Sequence, residues 1–285
     1  MPELPEVETI RRGLEKLILY KKIIRMEVKE AKSIILGGKK LENTIYNFRI
    51  IGLKRFGKAL VIDLDSGWSL MVHLRMTGQL IFEGEERFAG GHPTEDFVGQ
   101  MPSRHTRVIF ELENGRLYFN DQRKFGFIKV LLTDLVEKEG FIWKLGKEPW
   151  VMSGEELYEK LQRHQKTTIK AVILDQTVMA GLGNIYADEA LFWAGVLPTR
   201  RVGTITKVEV ERILEGARRV MDVSIASGGS TMATYVQADG SRGDYLEKFA
   251  KVFRREEQLC LRCGGEIKKI KVSGRGTYIC LGCQK

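Results

Sequence analysis

The stretch VMAGLGNIYADEA, residues 178–190, is open to two readings that lead to different folds. Read from Gly181-x-Gly183, it suggests a dinucleotide-binding turn and hence a parallel α/β sheet. That fingerprint requires a strand before it and a third glycine three residues after the second. Tyr186 stands where the third glycine would be. The preceding TTIKAVILDQTV (167–178) carries apolar residues three and four apart, which is a helical spacing. The stretch therefore reads as a turn between two helices. Its backbone amides and Asn184 lie at a helix start, where an anion is favoured. A plain helix–turn–helix corner fits the same letters.

On both sides of this turn the helical pattern continues. EELYEKLQRHQ (155–165) has Ser153 before it as an N-cap, and TTIKAVILDQTV has Thr167. IYADEALFWAG (185–195) forms the next helix, followed by a loop through Pro198 and a long helix over about 207–227. Four helices joined by tight, glycine-bearing turns make one domain. GGSTMATYVQADGSRGDY (228–245) follows as a polar loop of the kind that often carries function.

Residues 20 to 132 read as β structure. ALVIDL (59–64) and SLMVHL (69–74) flank an Asp-Ser-Gly turn, and RVIFEL (107–112) and RLYF (116–119) flank Glu-Asn-Gly. Repeated hairpins predict a two-layer sandwich or flattened barrel. EGEERFAGGHPTEDFVGQMPSRH (83–105) reads as a long irregular surface loop.

At 285 residues the chain can form two or three domains, and its 43% hydrophobic content is ordinary for a globular protein. The apolar runs are too short to span a bilayer. The acidic N-terminus has no apolar signal segment, so a cytosolic protein is expected. The net charge is +9, and residues 242–285 alone carry eleven Lys or Arg against five Asp or Glu. Such basic clustering on a small module is the footprint of a nucleic-acid binder, although a solvated basic surface has the same composition.

All four cysteines lie in that tail, as CLRC (260–263) and CLGC (280–283). Cys260, Cys263, Cys280 and Cys283 have the C-x2-C-x16-C-x2-C spacing of a four-thiolate zinc site. The intervening GGEIKKIKVSGRGTYI alternates around a Ser-Gly-Arg-Gly turn and reads as a β-hairpin. One zinc ion closed in by four thiolates would be structural.

At the other end, MPELPEVETI (1–10) begins a helix. Pro5 suits its first turn, Glu6 and Glu8 suit its positive end, and Ile10, Leu14 and Leu17 recur at helical spacing. Nothing in that reading accounts for Pro2 and Glu3.

MPELPEVET, GKALVIDL, HLRMTG, NDQRKFG, LDQTVMAGLGNIYADEALF, GGST and GRGTYICLGC occur here in one order. Together they resemble the bacterial formamidopyrimidine-DNA glycosylases over the whole length, from Met1 to Lys285. Endonuclease VIII enzymes share the architecture but typically begin Pro-Glu-Gly-Pro-Glu, and Leu4 favours the formamidopyrimidine branch. The resemblance implies an α+β multidomain protein. A catalytic β-sandwich with a flanking helix would occupy residues 1–132 and a helix–two-turn–helix domain 133–228. A lesion-capping loop and linker would occupy 229–250 and a four-cysteine zinc finger 251–285.

It also implies an enzyme that binds damaged double-stranded DNA as a monomer, in a bacterial cytoplasm and nucleoid. Such an enzyme removes 8-oxoguanine and formamidopyrimidines, then cleaves the strand by β,δ-elimination. With Met1 removed, Pro2 would be the amine nucleophile and Glu3 the general acid/base. An α-amino group titrates near pH 8, so a useful neutral fraction exists at physiological pH. Lys58, placed in the FGKALV strand, would act near the abasic site. Arg275 matches the arginine of the final elimination, but a guanidinium stays protonated, so clamping a phosphate suits it better.

Met76, Arg123 and Phe125 match the residues that fill the space left by the extruded base. Outside that pattern, Met76 and Phe125 would be read as core. His105 and Asn184 match DNA contacts. Gln165 stands where many members carry lysine, with Lys166 beside it, and VFRREEQLC (252–260) lacks the glycines and proline usual before the finger. Two other readings remain: an endonuclease VIII-like enzyme for oxidised pyrimidines, and a non-catalytic zinc-ribbon DNA-binding protein.

Overall fold

The computed structural model describes residues 1–36, 45–230 and 245–285; most of the expected capping loop, 231–244, lies outside them. The chain divides into two units. One is Met1–Trp143 with the described residues 227–230, and the other is Lys144–Ala226 with Tyr245–Lys285.

The first unit opens with helix α1, Leu4–Ile18. Strands β1 (Ile23–Val28), β2 (Ile34–Leu36), β3 (Ile50–Phe56), β4 (Ala59–Leu64) and β5 (Trp68–His73) follow. Next come β6 (Gly78–Gly84), β7 (Arg87–Gly91), β8 (Thr106–Leu112), β9 (Gly115–Asp121) and β10 (Phe127–Leu132), then a single helical turn, α2 (Gly140–Trp143). They form two five-stranded sheets, ordered β1-β8-β9-β6-β7 and β2-β10-β5-β4-β3. Among the described strands, only the β2–β10 pair is parallel.

Leu60, Ile62, Leu70 and Val72 of the second sheet share one buried core with Leu80, Phe82, Phe110 and Leu117 of the first. The opposite face of the second sheet is also covered. Ala59, Val61 and Met71 pack there with Val136 and with Ile142 of α2. Burial on both faces explains why ALVIDL and SLMVHL read as nearly continuous apolar runs rather than alternating ones.

Helix α1 closes one side of the sandwich, packing against β7 and β3, the edge strands of the two sheets. Val7, Ile10, Leu14 and Ile18 supply its buried stripe. Full burial of such side chains is worth roughly 1.5–3 kcal/mol each. Glu8 fixes the helix rotationally, accepting from Arg12 Nε at 2.7 Å, Arg11 Nη2 at 3.0 Å and Arg55 Nε of β3 at 3.1 Å. Burial opposes its ionisation, but the hydrogen bonds from Arg11, Arg12 and Arg55 outweigh that and lower its pKa to about 2. A depressed carboxyl stabilises the fold above its unfolded value of 4.5 and loses that contribution as pH falls toward 2. Thermal unfolding should therefore show a melting point that drops between pH 5 and pH 2. Glu8→Gln should flatten that part of the profile and lower the melting point at pH 7.

Two expectations are corrected in this unit. Residues 83–105 are not a continuous irregular loop: β7 pairs with β6 in register from Gln79–Gly91 to Glu83–Arg87. Phe88, Ala89 and Phe97 are buried there. The strand is short and ends in two glycines, so its alternation is weak, and α1 supplies the burial. Lys58 is not in a strand either. Phe56 pairs with Ala59, which leaves Gly57 and Lys58 as a two-residue hairpin turn with Gly57 at φ +54°.

The second unit holds α3 (Gly154–Gln162), α4 (Ile169–Ile173), α5 (Asn184–Ala194) and α6 (Lys207–Ala226), then the hairpin β11 (Lys268–Val272) and β12 (Arg275–Ile279). Ser153 caps α3, accepting from Glu156 N while Glu156 accepts from Ser153 N. Thr167 does not cap α4; Thr168 occupies the N-cap position, and its hydroxyl lies 3.3 Å from that of Ser273. Helix α4 is also shorter than its periodicity predicts. Asp175 accepts from the amide and hydroxyl of Thr177, both at 2.8 Å, a local turn that competes with helix. Gln176 then spans the double turn. Its Nε2 donates to Leu174 O and Leu182 O, and its Oε1 accepts from Gly181 N.

Candidate functional site

Pro2 and Glu3 are buried at the head of α1, and Glu3 is 3% exposed. Glu3 occupies the N-cap position, where its backbone amide donates to Glu6 Oε2 at 2.7 Å. The other oxygen of Glu6 accepts from Ser230 N at 2.8 Å. Glu6 therefore joins the N-terminus to the start of the Gly-rich stretch at 228–230. In sequence alone, Glu6 carries only a helix-dipole signal.

Lys58 is 8% exposed in its turn, and the residue after it, Ala59, pairs with His73. His73 is held neutral: burial, Arg75 and Lys58 together lower its pKa to about 3. Its Nδ1 accepts from Arg75 N at 3.1 Å, and its ring centroid lies 5.8 Å from that of Phe127 and 5.6 Å from that of Phe141. The quoted HLRMTG contained this histidine, but nothing in the spacing separated it from a core residue.

Met76 and Phe125 are not core. They are 39% and 56% exposed, on the β5–β6 and β9–β10 connections. The Arg123 guanidinium lies over the Phe125 ring at 4.9 Å. Both connections are tightly built. Arg75 and Lys124 take left-handed conformations, at φ +51° and +58°. A Cβ on Gly78 would fall 2.4 Å from Leu74 O. His105 lies apart in the chain, with Nδ1 2.9 Å from Asp96 Oδ2, but its carbonyl accepts from Asp121 N at 2.9 Å.

In the second unit, Asn184 and Lys170 meet at the carbonyl of Gly276, the residue after Arg275. Asn184 is the first residue of α5, and its Nδ2 donates to Gly276 O at 3.0 Å. Arg275 is exposed at the start of β12, next to a Ser273–Gly274 turn with both residues left-handed. Lys170 Nζ also reaches Gly276 O, at 3.3 Å, and Thr277 Oγ1 at 2.8 Å. Its ion pair with Asp188, at 2.6 Å, is fully buried. Burial raises the Asp188 carboxyl to about 6 despite Lys170 and the Tyr278 amide. Its neighbour Glu189 accepts from the amides of Lys251, Val252 and Phe253. Helix α5 thus grips the hairpin through Asp188 and the incoming chain through Glu189. VFRREEQLC is anchored here without the glycines and proline expected before the finger. Gln165 and Lys166 are exposed on the α3–α4 connection, where Gln165 O accepts from Gly203 N.

The four cysteines converge. Their sulfurs lie within 4.8 Å of one another, with 3.7 Å between Cys260 and Cys283 and 3.4 Å between Cys263 and Cys280. A tetrahedral zinc–thiolate centre has sulfur–sulfur edges of about 3.8 Å. The Arg262 amide points at Cys260 Sγ, 3.4 Å away. None of the cysteines is in a disulfide. The donor set therefore fits zinc.

Comparison with known proteins covers the same three regions. The Formamidopyrimidine-DNA glycosylase N-terminal domain matches residues 1–128, and the Formamidopyrimidine-DNA glycosylase H2TH domain matches 145–236. The "Zinc finger found in FPG and IleRS" matches 257–285. A formamidopyrimidine-DNA glycosylase of Pelotomaculum thermopropionicum is 41% identical over 290 residues, covering 100% of this chain and 99% of the relative. One from Desulfitobacterium hafniense is 36% identical over 287 residues, covering 100% of both. Among solved structures, a variant of the Lactococcus lactis enzyme in complex with DNA containing Fapy-dG is 33% identical. It superposes at a TM-score of 0.87 over 100% of each chain. The Lactococcus lactis enzyme with DNA containing an abasic site gives the same TM-score and identity.

Proposed function

The chain belongs to the formamidopyrimidine-DNA glycosylase family, and we propose that it excises 8-oxoguanine and formamidopyrimidines from duplex DNA and then cleaves the strand at the abasic site. The observation that carries this reading is the buried Pro2–Glu3 pair at the head of α1, with Glu3 pinned by Glu6. Binding alone needs neither residue, which argues against a non-catalytic zinc-ribbon protein.

Once Met1 is removed, the Pro2 nitrogen carries a lone pair that can attack C1′ of the damaged nucleotide. The glycosidic bond breaks, and its electron pair leaves with the base, which takes a proton. Glu3 moves that proton and one to the ring oxygen, and the sugar opens to an iminium. The iminium acidifies C2′–H; loss of that proton expels the 3′ phosphate, and a second elimination expels the 5′ phosphate. Lys58 lies by the neutral His73 and acts at the phosphate or sugar of the abasic site. Arg275 and Asn184 hold backbone phosphates, where a guanidinium binds as a charge-assisted donor.

Extrusion of the base leaves a gap that Met76 and Phe125 fill, and Arg123 hydrogen-bonds the partner base. His105, Gln165 and Lys166 add backbone contacts. The protein works as a cytoplasmic, nucleoid-associated monomer; among the described residues, no helix is long and apolar enough to cross a membrane.

Defined duplexes carrying 8-oxoguanine, a formamidopyrimidine or thymine glycol test the reading. The two purine lesions should be cut at least about tenfold faster than thymine glycol. Preference for thymine glycol would favour the endonuclease VIII-like alternative. No excision on any of the three would leave only a binding protein.

One zinc ion, held by Cys260, Cys263, Cys280 and Cys283, keeps β11–β12 in place and takes no part in the reaction. Cys260→Ser or Cys280→Ser should remove the metal and weaken DNA binding by about tenfold or more, since the finger's cationic contacts are lost. The first unit should stay folded by circular dichroism. Full DNA affinity in a metal-free preparation would refute the structural role.

A further inference from the structure

Asp121 ends β9, is 0% exposed, and belongs to neither the nucleophile cluster nor the finger. Its side chain organises two separate connections. Oδ2 accepts from Gly126 N at 2.6 Å, and Oδ1 accepts from Arg123 N at 3.1 Å. Oδ1 also accepts from the hydroxyl of Thr77, which lies on the β5–β6 connection beside Met76. Thr77 Oγ1 accepts in turn from Arg123 N at 3.0 Å. One carboxylate thus holds the chain segments carrying Met76, Arg123 and Phe125.

The chemistry of the position requires this residue type. A backbone amide faces each oxygen, Gly126 N at Oδ2 and Arg123 N at Oδ1, so both oxygens must accept, which a carboxylate does and a side-chain amide cannot. A buried carboxylate is tolerated only when hydrogen-bonded in this way. The fit is also close. A Cβ on Gly126 would lie 3.1 Å from Asp121 Oδ2 and 2.9 Å from the Phe119 ring. Met76 and Phe125 remain exposed at the tips, although apolar groups on mobile loops would fold back onto the protein.

We propose that Asp121, with Thr77 as its link, is the positioning residue that fixes the two connections to each other, so that Met76, Arg123 and Phe125 enter the duplex as one preformed wedge. This rests on the base-extruding function proposed above. A preformed wedge does not have to be ordered at the moment of insertion, a cost that two independent loops would incur.

Thr77→Val tests the link with little change of shape, because it removes the hydroxyl and leaves Asp121 bonded within its own loop. Single-turnover excision of 8-oxoguanine from duplex DNA should fall between about 10- and 100-fold, the size of effect expected when a group is misplaced by about an ångström. Nicking at a preformed abasic site should fall much less. The fluorescence rise of 2-aminopurine placed beside the lesion, which reports unstacking, should slow in parallel with excision. Thr77→Ser restores the hydroxyl and should restore both readouts. Asp121→Asn should behave as Thr77→Val does, or worse; if it fails to fold, the two Thr77 variants decide.

In a Met76→Ala, Arg123→Ala, Phe125→Ala background, Thr77→Val should cost nothing further, because no wedge remains to position. An inert Thr77→Val, equal loss on both substrates, or an additive loss in the wedge-free background overturns the proposal. If the wedge-free protein itself loses both activities equally, the base-extruding function fails, and the proposal fails with it. A wedge-free protein selectively poor at excision, alongside an inert Thr77→Val, overturns the proposal alone.

Discussion

Protein that retains Met1, or carries any residue ahead of Pro2, should lose both base excision and strand nicking by about 10^3-fold or more, as when a nucleophile is deleted. It should still bind damaged duplex. A free N-terminal proline is a secondary amine that can add to C1′ and then form an iminium, whereas the nitrogen of a Met1–Pro2 peptide bond is an amide with no nucleophilic pair. The geometry makes the loss hard to bypass. Pro2 and Glu3 are buried together, and the Glu3 amide is tied to Glu6, so a displaced terminus cannot supply a neighbouring amine in the same place. Binding is expected to survive because Asn184 and Arg275 belong to the other unit of the chain. Borohydride gives a direct readout, since it reduces the iminium to a stable amine and cross-links enzyme to DNA. The processed protein should trap on lesion-bearing duplex, and the blocked protein should not. A blocked protein that still traps would move the nucleophile, with Lys58 the first candidate. A processed protein that cleaves without ever trapping would end the Schiff-base mechanism.

Much of this architecture can be read from local pattern, and the failures have physical causes. The β4–β5 and β8–β9 hairpins follow from turn residues and apolar runs, α3 from its Ser153 N-cap and apolar spacing, and the thiolate cluster from two C-x2-C pairs at workable spacing. β7 is hidden from local pattern because its burial comes from α1, about seventy residues earlier in the chain, while its own sequence is short and glycine-rich. Helix α4 is shorter than its apolar spacing because periodicity does not register the Asp175–Thr177 turn that stops it. Residue type also misleads about exposure. Met76 and Phe125 look like core residues, and only their placement on tightly hydrogen-bonded connections shows that they face solvent. Asp121, His73 and Asp188 carry no local signal, and Glu6 carries only that of a helix start. Asp121 meets Thr77, Glu6 meets Ser230, and Asp188 meets Lys170 and Tyr278, and no spacing rule relates such pairs.

Glu3→Gln should separate the two halves of the reaction. The substitution keeps size and polarity, and the Glu3 backbone amide can still donate to Glu6 Oε2, so the head of α1 should hold its shape. What it removes is an oxygen that can give up and take back a proton. Base departure needs that proton because the leaving nitrogen carries the bond's electron pair, and general acid–base assistance of this kind is worth about 10^2- to 10^4-fold. Single-turnover excision of 8-oxoguanine should fall within that range, with little change in the concentration of enzyme needed for half-maximal binding. At a preformed abasic site the base is already gone and the aldehyde condenses with Pro2 directly, so nicking should fall by a much smaller factor. Borohydride trapping should follow the same split, persisting on abasic duplex and disappearing on lesion duplex at short times. Equal losses on the two substrates would mean that Glu3 acts on the sugar or on Pro2 and not on the departing base. Undiminished excision would remove Glu3 from the chemistry and leave it an N-cap residue of α1, because a glutamine side chain still offers the acceptor that capping requires.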